Sequence, residues 1–203
     1  MLGLPKATEV NGRVSKDKIY TNASPTPQVR EIIKDQIEAI FWRNKLADSI
    51  IGIAKGEKIE ELQVFEIRLR QAGLDKRAIT TIAKVIPYKI LFVLTHGEQA
   101  QAWMNVEGTF YNTNWLPADN LGLKFEGLNL DAVYENLARQ IADGQLAQSG
   151  DIGQAVENAK RRQKLEKDIA ALEKKLLREK QFNKQVELNG ELKRLRKELE
   201  GLG

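Results

Sequence analysis

The sequence of 203 residues contains no cysteine and a single histidine, His96. Without cysteine the chain has no disulfide scaffold, no thiolate nucleophile and no cysteine-ligated zinc or iron–sulfur site. One histidine cannot build a histidine metal site or a catalytic triad unless another chain completes it. Because His96 stands beside Gly97, we expect it in a turn. We therefore expect no cofactor.

Long apolar runs and glycine-rich phosphate loops are also missing. No stretch approaches the roughly 20 apolar residues that a membrane span needs, and the start MLGLPKATEVNG has no apolar run of signal-peptide length. Neither the P-loop pattern nor the dinucleotide fingerprint occurs. We expect a cytoplasmic protein that does not contact a membrane. We also expect that it does not hydrolyse nucleotides by itself.

Charged residues are abundant and unevenly placed. They make up 30% of the chain, and the formal net charge is +4. Residues 151–203 hold 14 Lys or Arg against 10 Asp or Glu, whereas the 18 basic and 18 acidic residues before them cancel. The basic residues of this tail are candidate contacts to DNA phosphates, and the alternative is a solvated helix face. They are densest at Lys160, Arg161, Arg162 and Lys164.

Hydrophobic periodicity predicts an α+β fold for residues 1–145. The apolar residues from Ile32 to Phe41 have the three-to-four spacing of an amphipathic helix, which we place at 27–43. Asp75 and Asn129 are expected N-caps of two further helices. We predict an antiparallel or mixed sheet of about five strands with these three helices. The strands are expected at 49–53, 59–69, 90–94, 100–106 and 109–115, the last three as a meander.

A linker at 146–155 leads to a basic helical tail at 156–203. Its apolar residues recur at the alternating steps of four and three that are typical of a coiled-coil seam. The spacing of twelve between Leu176 and Leu188 interrupts this register, so the tail is one coiled-coil helix with a discontinuity or a helical hairpin. The predicted partner-binding residues are Leu165, Ile169, Leu172, Leu176, Leu192, Leu195 and Leu199.

Glu66 is the one candidate for catalysis. Phe65 and Ile67 alternate with Glu66 and Arg68, which predicts a half-buried strand with its charged side facing solvent. A carboxylate followed two residues later by lysine holds magnesium and activates water in metal-dependent nucleases. Arg68 cannot release a proton, however, and a cross-strand ion pair is the alternative.

Three tryptophans lie in the body, namely Trp42, Trp103 and Trp115. Aromatic side chains on an open sheet face can stack unpaired bases. Such rings are more often part of a core, and this alternative is the one we favour.

Six segments follow one another along the chain as LPKATEV (4–10), WRNKLA (42–47), VFEI (64–67), IPYKILF (86–92), LNLDAVYEN (128–136) and EKQFNKQVELN (179–189). In this order they resemble the bacterial family catalogued as domain of unknown function 4391. The resemblance implies an accessory component found beside helicases and DNA methyltransferases of the restriction or antiviral-defence type. It assigns no catalytic residue.

The leading hypothesis is therefore a non-catalytic accessory subunit of a DNA-processing or antiviral-defence assembly. Its tail would bind a helicase-like or methyltransferase partner, or a second copy of the chain, and its basic residues would make non-specific DNA contacts. Two alternatives stay open. One is a divergent metal-dependent nuclease that uses Glu66, and the other is a homodimeric interaction protein without a nucleic-acid role.

Overall fold

The structure, a computed structural model, describes residues 2–202. The chain divides into two compact units, a body that ends at Gly144 and a tail that begins at Gln145. No helix within the described residues is long and apolar enough to cross a bilayer.

The described residues of the body form seven strands and five α-helices, which exceeds the predicted five strands and three helices. The strands are β1 (Glu9–Val14), β2 (Ile37–Ala47), β3 (Glu61–Leu69), β4 (Lys89–His96), β5 (Gln99–Val106), β6 (Thr109–Asn112) and β7 (Leu116–Pro117). The helices are α1 (Lys16–Ala23), α2 (Pro27–Gln36), α3 (Asp48–Ile51), α4 (Lys76–Lys84) and α5 (Leu130–Ala142).

All seven strands belong to one mixed sheet, and the α+β class is confirmed. The order is β1-β2-β3-β4-β5-β6, with β7 also pairing with β5. Strands β3 and β4 are parallel and are joined through α4, whereas the other pairs are antiparallel. The predicted meander of β4, β5 and β6 is confirmed.

One face of the sheet packs against α1, α2 and α4 through a single apolar cluster. Phe65 and Phe92 lie in this cluster together with Ile33 of α2 and Ile79 of α4. Helix α5 packs against β3, β5 and β6 from the opposite side. Because both faces are covered near the centre, β3 is buried at every residue except Arg68, and the prediction that it is half-buried was wrong.

The two helices predicted from their N-caps are confirmed. The Asp75 carboxylate accepts a hydrogen bond from the backbone N–H of Arg77 at 2.8 Å, and the side chain of Asn129 accepts one from that of Ala132 at 2.9 Å. Each bond satisfies one of the backbone donors that a helix start leaves free. Local chemistry was therefore sufficient to locate α4 and α5.

The predicted helix at 27–43 is correct only as far as Gln36, where α2 passes directly into β2. Ile37 pairs with Leu69 and Ile40 with Ile67, although the register shifts between them. This irregularity lets two residues three positions apart face the same core, which produces helical spacing within a strand. The segment forms a strand because it pairs with both β1 and β3, although its apolar spacing favours a helix. Strand preference depends on the neighbours against which the side chains pack.

The strand predicted at 49–53 was also wrong, because α3 occupies Asp48–Ile51. Gly52 ends this helical turn in the left-handed conformation, with a φ of 66°, and its N–H bonds to the carbonyl of Asp48 at 3.0 Å. A short β-branched run cannot be assigned to a helix or a strand by periodicity alone.

The tail folds as a helical hairpin of α6 (Ile152–Arg178) and α7 (Phe182–Glu200), one of the two arrangements that its sequence left open. Ion pairs join Arg161 to Glu198 at 2.6 Å and Arg196 to Glu173 at 2.7 Å. These pairs show that the helices run antiparallel. Helix α6 begins within the segment predicted as a linker at 146–155.

Candidate functional site

Two irregularities in neighbouring strands meet at one point on the sheet. In β1, Glu9 pairs with Asn44 and Gly12 with Trp42, so two β1 residues oppose Arg43 alone. In the β2–β3 pair the register shifts again between Trp42 and Asn44. Such bulges redirect side chains and are common beside functional sites. Here they place Arg43 and Asn44 on the same side of the sheet.

Asn11 completes this double bulge with a left-handed backbone, at a φ of 52°. Asparagine is one of the few residues other than glycine that adopt this conformation without a large cost. Its side-chain oxygen accepts a hydrogen bond from Arg43 at 3.1 Å, and its amide donates one to Glu9 at 3.1 Å. The bulge in β1 thus orients the arginine of β2.

Glu66 of β3 holds two arginines in place. Its Oε2 accepts a hydrogen bond from Nε of Arg43 at 2.6 Å, and its Oε1 accepts one from Nε of Arg68 at 2.7 Å. The hydroxyl of Thr95 also approaches Oε1, at 3.3 Å. Glu66 is only 6% exposed, so the carboxylate is enclosed by its partners.

The electrostatics of this network keep Glu66 ionised. Burial raises the pKa of the carboxyl group, but hydrogen bonds from Arg68 and Arg43 and their positive charges outweigh burial and lower the pKa below its usual 4.5. The same ion pair raises the pKa of Arg68. Glu66 is therefore an anion at neutral pH, and it fixes the two guanidinium groups.

A cavity of about 360 Å³ opens beside the double bulge. Its polar lining includes Arg43, Asn11 and Asn44, and its apolar lining includes Val64 and Val93. The volume is in the range of about 300–1,000 Å³ that is common for small-molecule sites. The lining therefore offers both polar and apolar contacts.

Phe41 lies next to the network on the same sheet face, since it pairs with Glu66 on one side and with Arg13 on the other. The guanidinium carbon of Arg43 lies 4.7 Å from the centre of the ring and that of Arg68 lies 4.6 Å from it. Both distances are within the range of cation–π contacts. Two arginines thus contact the ring of Phe41, and a third pairs with this residue in the neighbouring strand. We call Arg13, Arg43 and Arg68 the sheet-face arginines.

The structure gives the nuclease alternative no support from Glu66. Both of its oxygens are engaged by guanidinium groups, whereas a magnesium ligand must offer a free oxygen. Within residues 2–202, no group of three Asp, Glu or His residues is placed to share a metal ion. The ion pair that the sequence offered as an alternative is what the structure contains.

The four basic residues predicted to contact DNA lie together on α6. Arg161 donates to Glu198 on α7, and Arg162 donates to the carbonyl oxygen of Leu202 at 2.9 Å. Lys160 and Lys164 lie on the same stretch of helix, and Lys164 is exposed. Two of the four cations thus also join the hairpin, and DNA contact by this cluster stays a prediction.

The predicted partner-binding residues lie along the inside of the hairpin. Leu165, Ile169 and Leu192 are buried there together with Leu188, while the other four are partly buried. The fold-back therefore covers much of this seam within a single chain, which an unbroken rod could not do. Their role toward a second protein stays a prediction.

Three large apolar side chains are exposed to solvent near the connection between α6 and α7. Leu177 at the end of α6 is 86% exposed, and Phe182 and Val186 at the start of α7 are 75% and 55% exposed. Basic residues accompany them, among which are Lys175 and Arg178. We call Leu177, Phe182 and Val186 the hairpin tip.

The tryptophans do not form an open stacking surface. Trp42 stacks on Phe65 with the ring planes 3° apart, and Trp103 is buried with its indole N–H donating to Gln101 at 2.8 Å. Both rings belong to or pack against the main apolar cluster, as does Trp115. The core interpretation is therefore confirmed.

Arg43, Asn11 and Asn44 were missed as site residues in the sequence. The predicted helix at 27–43 ends at Arg43 and leaves Asn44 just beyond it, and the double bulge depends on pairing between distant segments. A usable signal was the polar pair Arg43-Asn44 within an otherwise apolar and aromatic run.

A family model described as Domain of unknown function (DUF4391) matches residues 2–199. No curated protein and no solved structure matches the chain.

Proposed function

Since the chain belongs to the family described as Domain of unknown function (DUF4391), as its resemblance predicted, and this description assigns no activity, we propose a function from the chain's own geometry. The protein is a non-catalytic accessory subunit of a bacterial DNA-processing or antiviral-defence assembly of the restriction type. Its tail binds a helicase-like or methyltransferase partner, and its basic residues contact DNA without reading sequence.

The observation that carries this proposal is the exposed hairpin tip. The hairpin covers its own seam, yet Leu177 and Phe182 remain 86% and 75% exposed at the turn. Exposed apolar side chains at the end of a helical hairpin are typical of protein contacts. The seam then holds the two helices of the hairpin together, and the tip contacts the partner.

The site of Glu66 supports a non-catalytic role. The carboxylate that a nuclease would use for metal binding is paired with two arginines instead. DNA association is supported by the excess of basic residues in the tail, where Lys164 extends into solvent. Phosphate contacts of this kind increase affinity and depend strongly on salt.

The test is affinity purification of the tagged full chain from native lysate, with mass spectrometry of the proteins that co-elute. Leu177→Glu places a charge at the tip, and Leu128→Glu is its matched control because Leu128 is 94% exposed in the body. We expect a helicase or methyltransferase with the parent and with Leu128→Glu, and at least a tenfold lower recovery with Leu177→Glu.

Equal recovery with both variants, or no helicase or methyltransferase with the parent, would contradict the proposal. Light scattering of the purified parent distinguishes the homodimer alternative. A dimer that Leu177→Glu converts into a monomer would show that the tip binds a second copy of the chain.

A further inference from the structure

The sheet-face arginines have hydrogen-bond donors that the fold does not use. A guanidinium group carries five N–H donors. Arg68 uses its Nε for Glu66, and among the described residues its terminal nitrogens have no acceptor. The side chain of Arg13 is exposed, and within residues 2–202 it makes no hydrogen bond or ion pair. Most of these donors are therefore directed to solvent on one sheet face.

Burying a carboxylate only to stabilise the fold would not require exposed partners. The Glu66 side chain is 7% exposed, whereas that of Arg68 is 45% exposed and that of Arg43 is 31% exposed. An anion held below the surface restricts the guanidinium groups above it to one orientation. Because the guanidinium groups are already oriented, they lose less conformational entropy when a ligand binds.

Two concave surfaces border these arginines. Arg43 lines the cavity of about 360 Å³, and Arg13 lines a second groove of about 440 Å³ together with Lys16. Arg13 lies opposite Phe41, which Arg43 and Arg68 contact. A basic path therefore leads from one concavity to the other across β1, β2 and β3.

Two of the acidic groups along this path are already engaged. Glu66 is bound by two arginines, and Glu9 accepts a hydrogen bond from Asn11 at the cavity. Glu38 lines the second groove and acts electrostatically on Arg68. It is the acid that would repel a negatively charged ligand on the path.

We infer that this sheet face binds single-stranded nucleic acid. The sheet-face arginines contact successive phosphates, and the cavity beside Arg43 accepts an unpaired base between apolar walls and amide edges. Arginine planes and amide groups are common partners of exposed bases, whereas a rigid duplex would not enter two separate concavities. This inference rests on the proposed nucleic-acid association, but it places the contact on the body.

The test is fluorescence anisotropy of the full chain with labelled oligothymidylate of about 12 nucleotides, within the usual site size of about 4–16. Salt is varied between about 50 and 200 mM. Arg13→Gln/Arg68→Gln should weaken binding and reduce the salt slope by about 1.4, since each single-strand phosphate contact contributes about 0.7. Lys76→Gln/Lys84→Gln removes two exposed charges from α4, on the other face, and should leave binding unchanged.

Two further variants keep the test independent of folding. Arg13→Gln alone removes no internal contact and should still reduce the slope by about 0.7. Glu38→Gln should strengthen binding, because it removes the acid that acts on Arg68. Circular dichroism of the Glu38→Gln variant shows whether the gain of affinity is that of a folded protein.

The outcomes separate this inference from the proposed function. If Lys164→Gln weakens binding and the sheet-face variants do not, DNA contact by the tail stands and the inference is overturned. If the parent binds a duplex of the same sequence at least as tightly as the single strand, the single-strand assignment is wrong. If the parent binds neither, the inference fails, while partner binding through the hairpin tip is still decided by Leu177→Glu.

Discussion

The loop at residues 56–59 is fastened by one carboxylate, and a cycle of two substitutions tests this arrangement. Asp131, in the first turn of α5, accepts hydrogen bonds from the backbone N–H groups of Glu57 at 2.8 Å, Lys58 at 3.2 Å and Ile59 at 2.9 Å. A Cβ atom on Gly56 would lie 2.0 Å from Oδ1 of Asp131. Gly56→Ala must therefore expel the carboxylate.

The cost follows from the bonds that are lost. Hydrogen bonds to a charged group contribute about 1.5–3 kcal/mol each, and those of this partly exposed loop belong at or below the low end. We expect Gly56→Ala and Asp131→Ala each to lower the free energy of unfolding by about 3 kcal/mol. Because both changes remove the same bonds, the double variant should lose about 3 kcal/mol rather than 6.

Urea denaturation followed by circular dichroism measures the four free energies of this cycle. Gly190→Ala is the control, since a Cβ there meets nothing within 4 Å in the middle of α7. It should stabilise the helix by about 0.5–1 kcal/mol, because alanine has the higher helix propensity. Additive losses in the double variant, or a Gly56→Ala protein as stable as the parent, would refute the reasoning.

Four other substitutions have expected effects that the same denaturation assay can measure. Tyr134→Phe should cost about 1 kcal/mol, because its hydroxyl donates to the carbonyl oxygen of Asn105 at 2.8 Å. Glu66→Gln should cost about 2 kcal/mol, less than a fully buried pair, since both arginine partners reach solvent. The folded pKa of Glu66 is lowered, so the stabilisation that its charge provides is complete above the unfolded pKa near 4.5 and is lost as the pH falls through the folded pKa. Glu66→Gln should therefore remove this part of the dependence of the free energy of unfolding on pH. Leu192→Ala should destabilise the hairpin by about 2–5 kcal/mol, whereas Leu177→Ala should change it by less than about 0.5 kcal/mol. Equal effects of the two leucines would contradict the assignment of seam and tip.

Prediction from sequence succeeded where local chemistry decides the structure. Helices α4 and α5 begin at residues whose side chains cap them, and β4 is apolar on both faces as a central strand requires. Prediction failed at β2, where apolar residues at helical spacing lie in a strand. Ile37 and Ile40 face one core because of a local irregularity, which depends on strands that lie far away in sequence.

The candidate site was only partly predictable for the same reason. Glu66 and Arg68 could be recognised as a charged pair on one strand, but Arg43 reaches them only through the bulge in β2. Asn11 joins them from β1, more than thirty positions away from Arg43. No periodicity within a single segment contains this information, since pairing between three strands creates it.

The order of strands in the sheet has a consequence for synthesis on the ribosome. Within residues 2–202, each strand from β2 onward pairs with at least one strand that precedes it in the chain. Each new strand can therefore add to a sheet edge that has already been translated, as domains that fold from the N-terminus do. One contact that has to wait is that between Asp131 and the loop at 56–59, which fastens an early segment only after α5 has emerged.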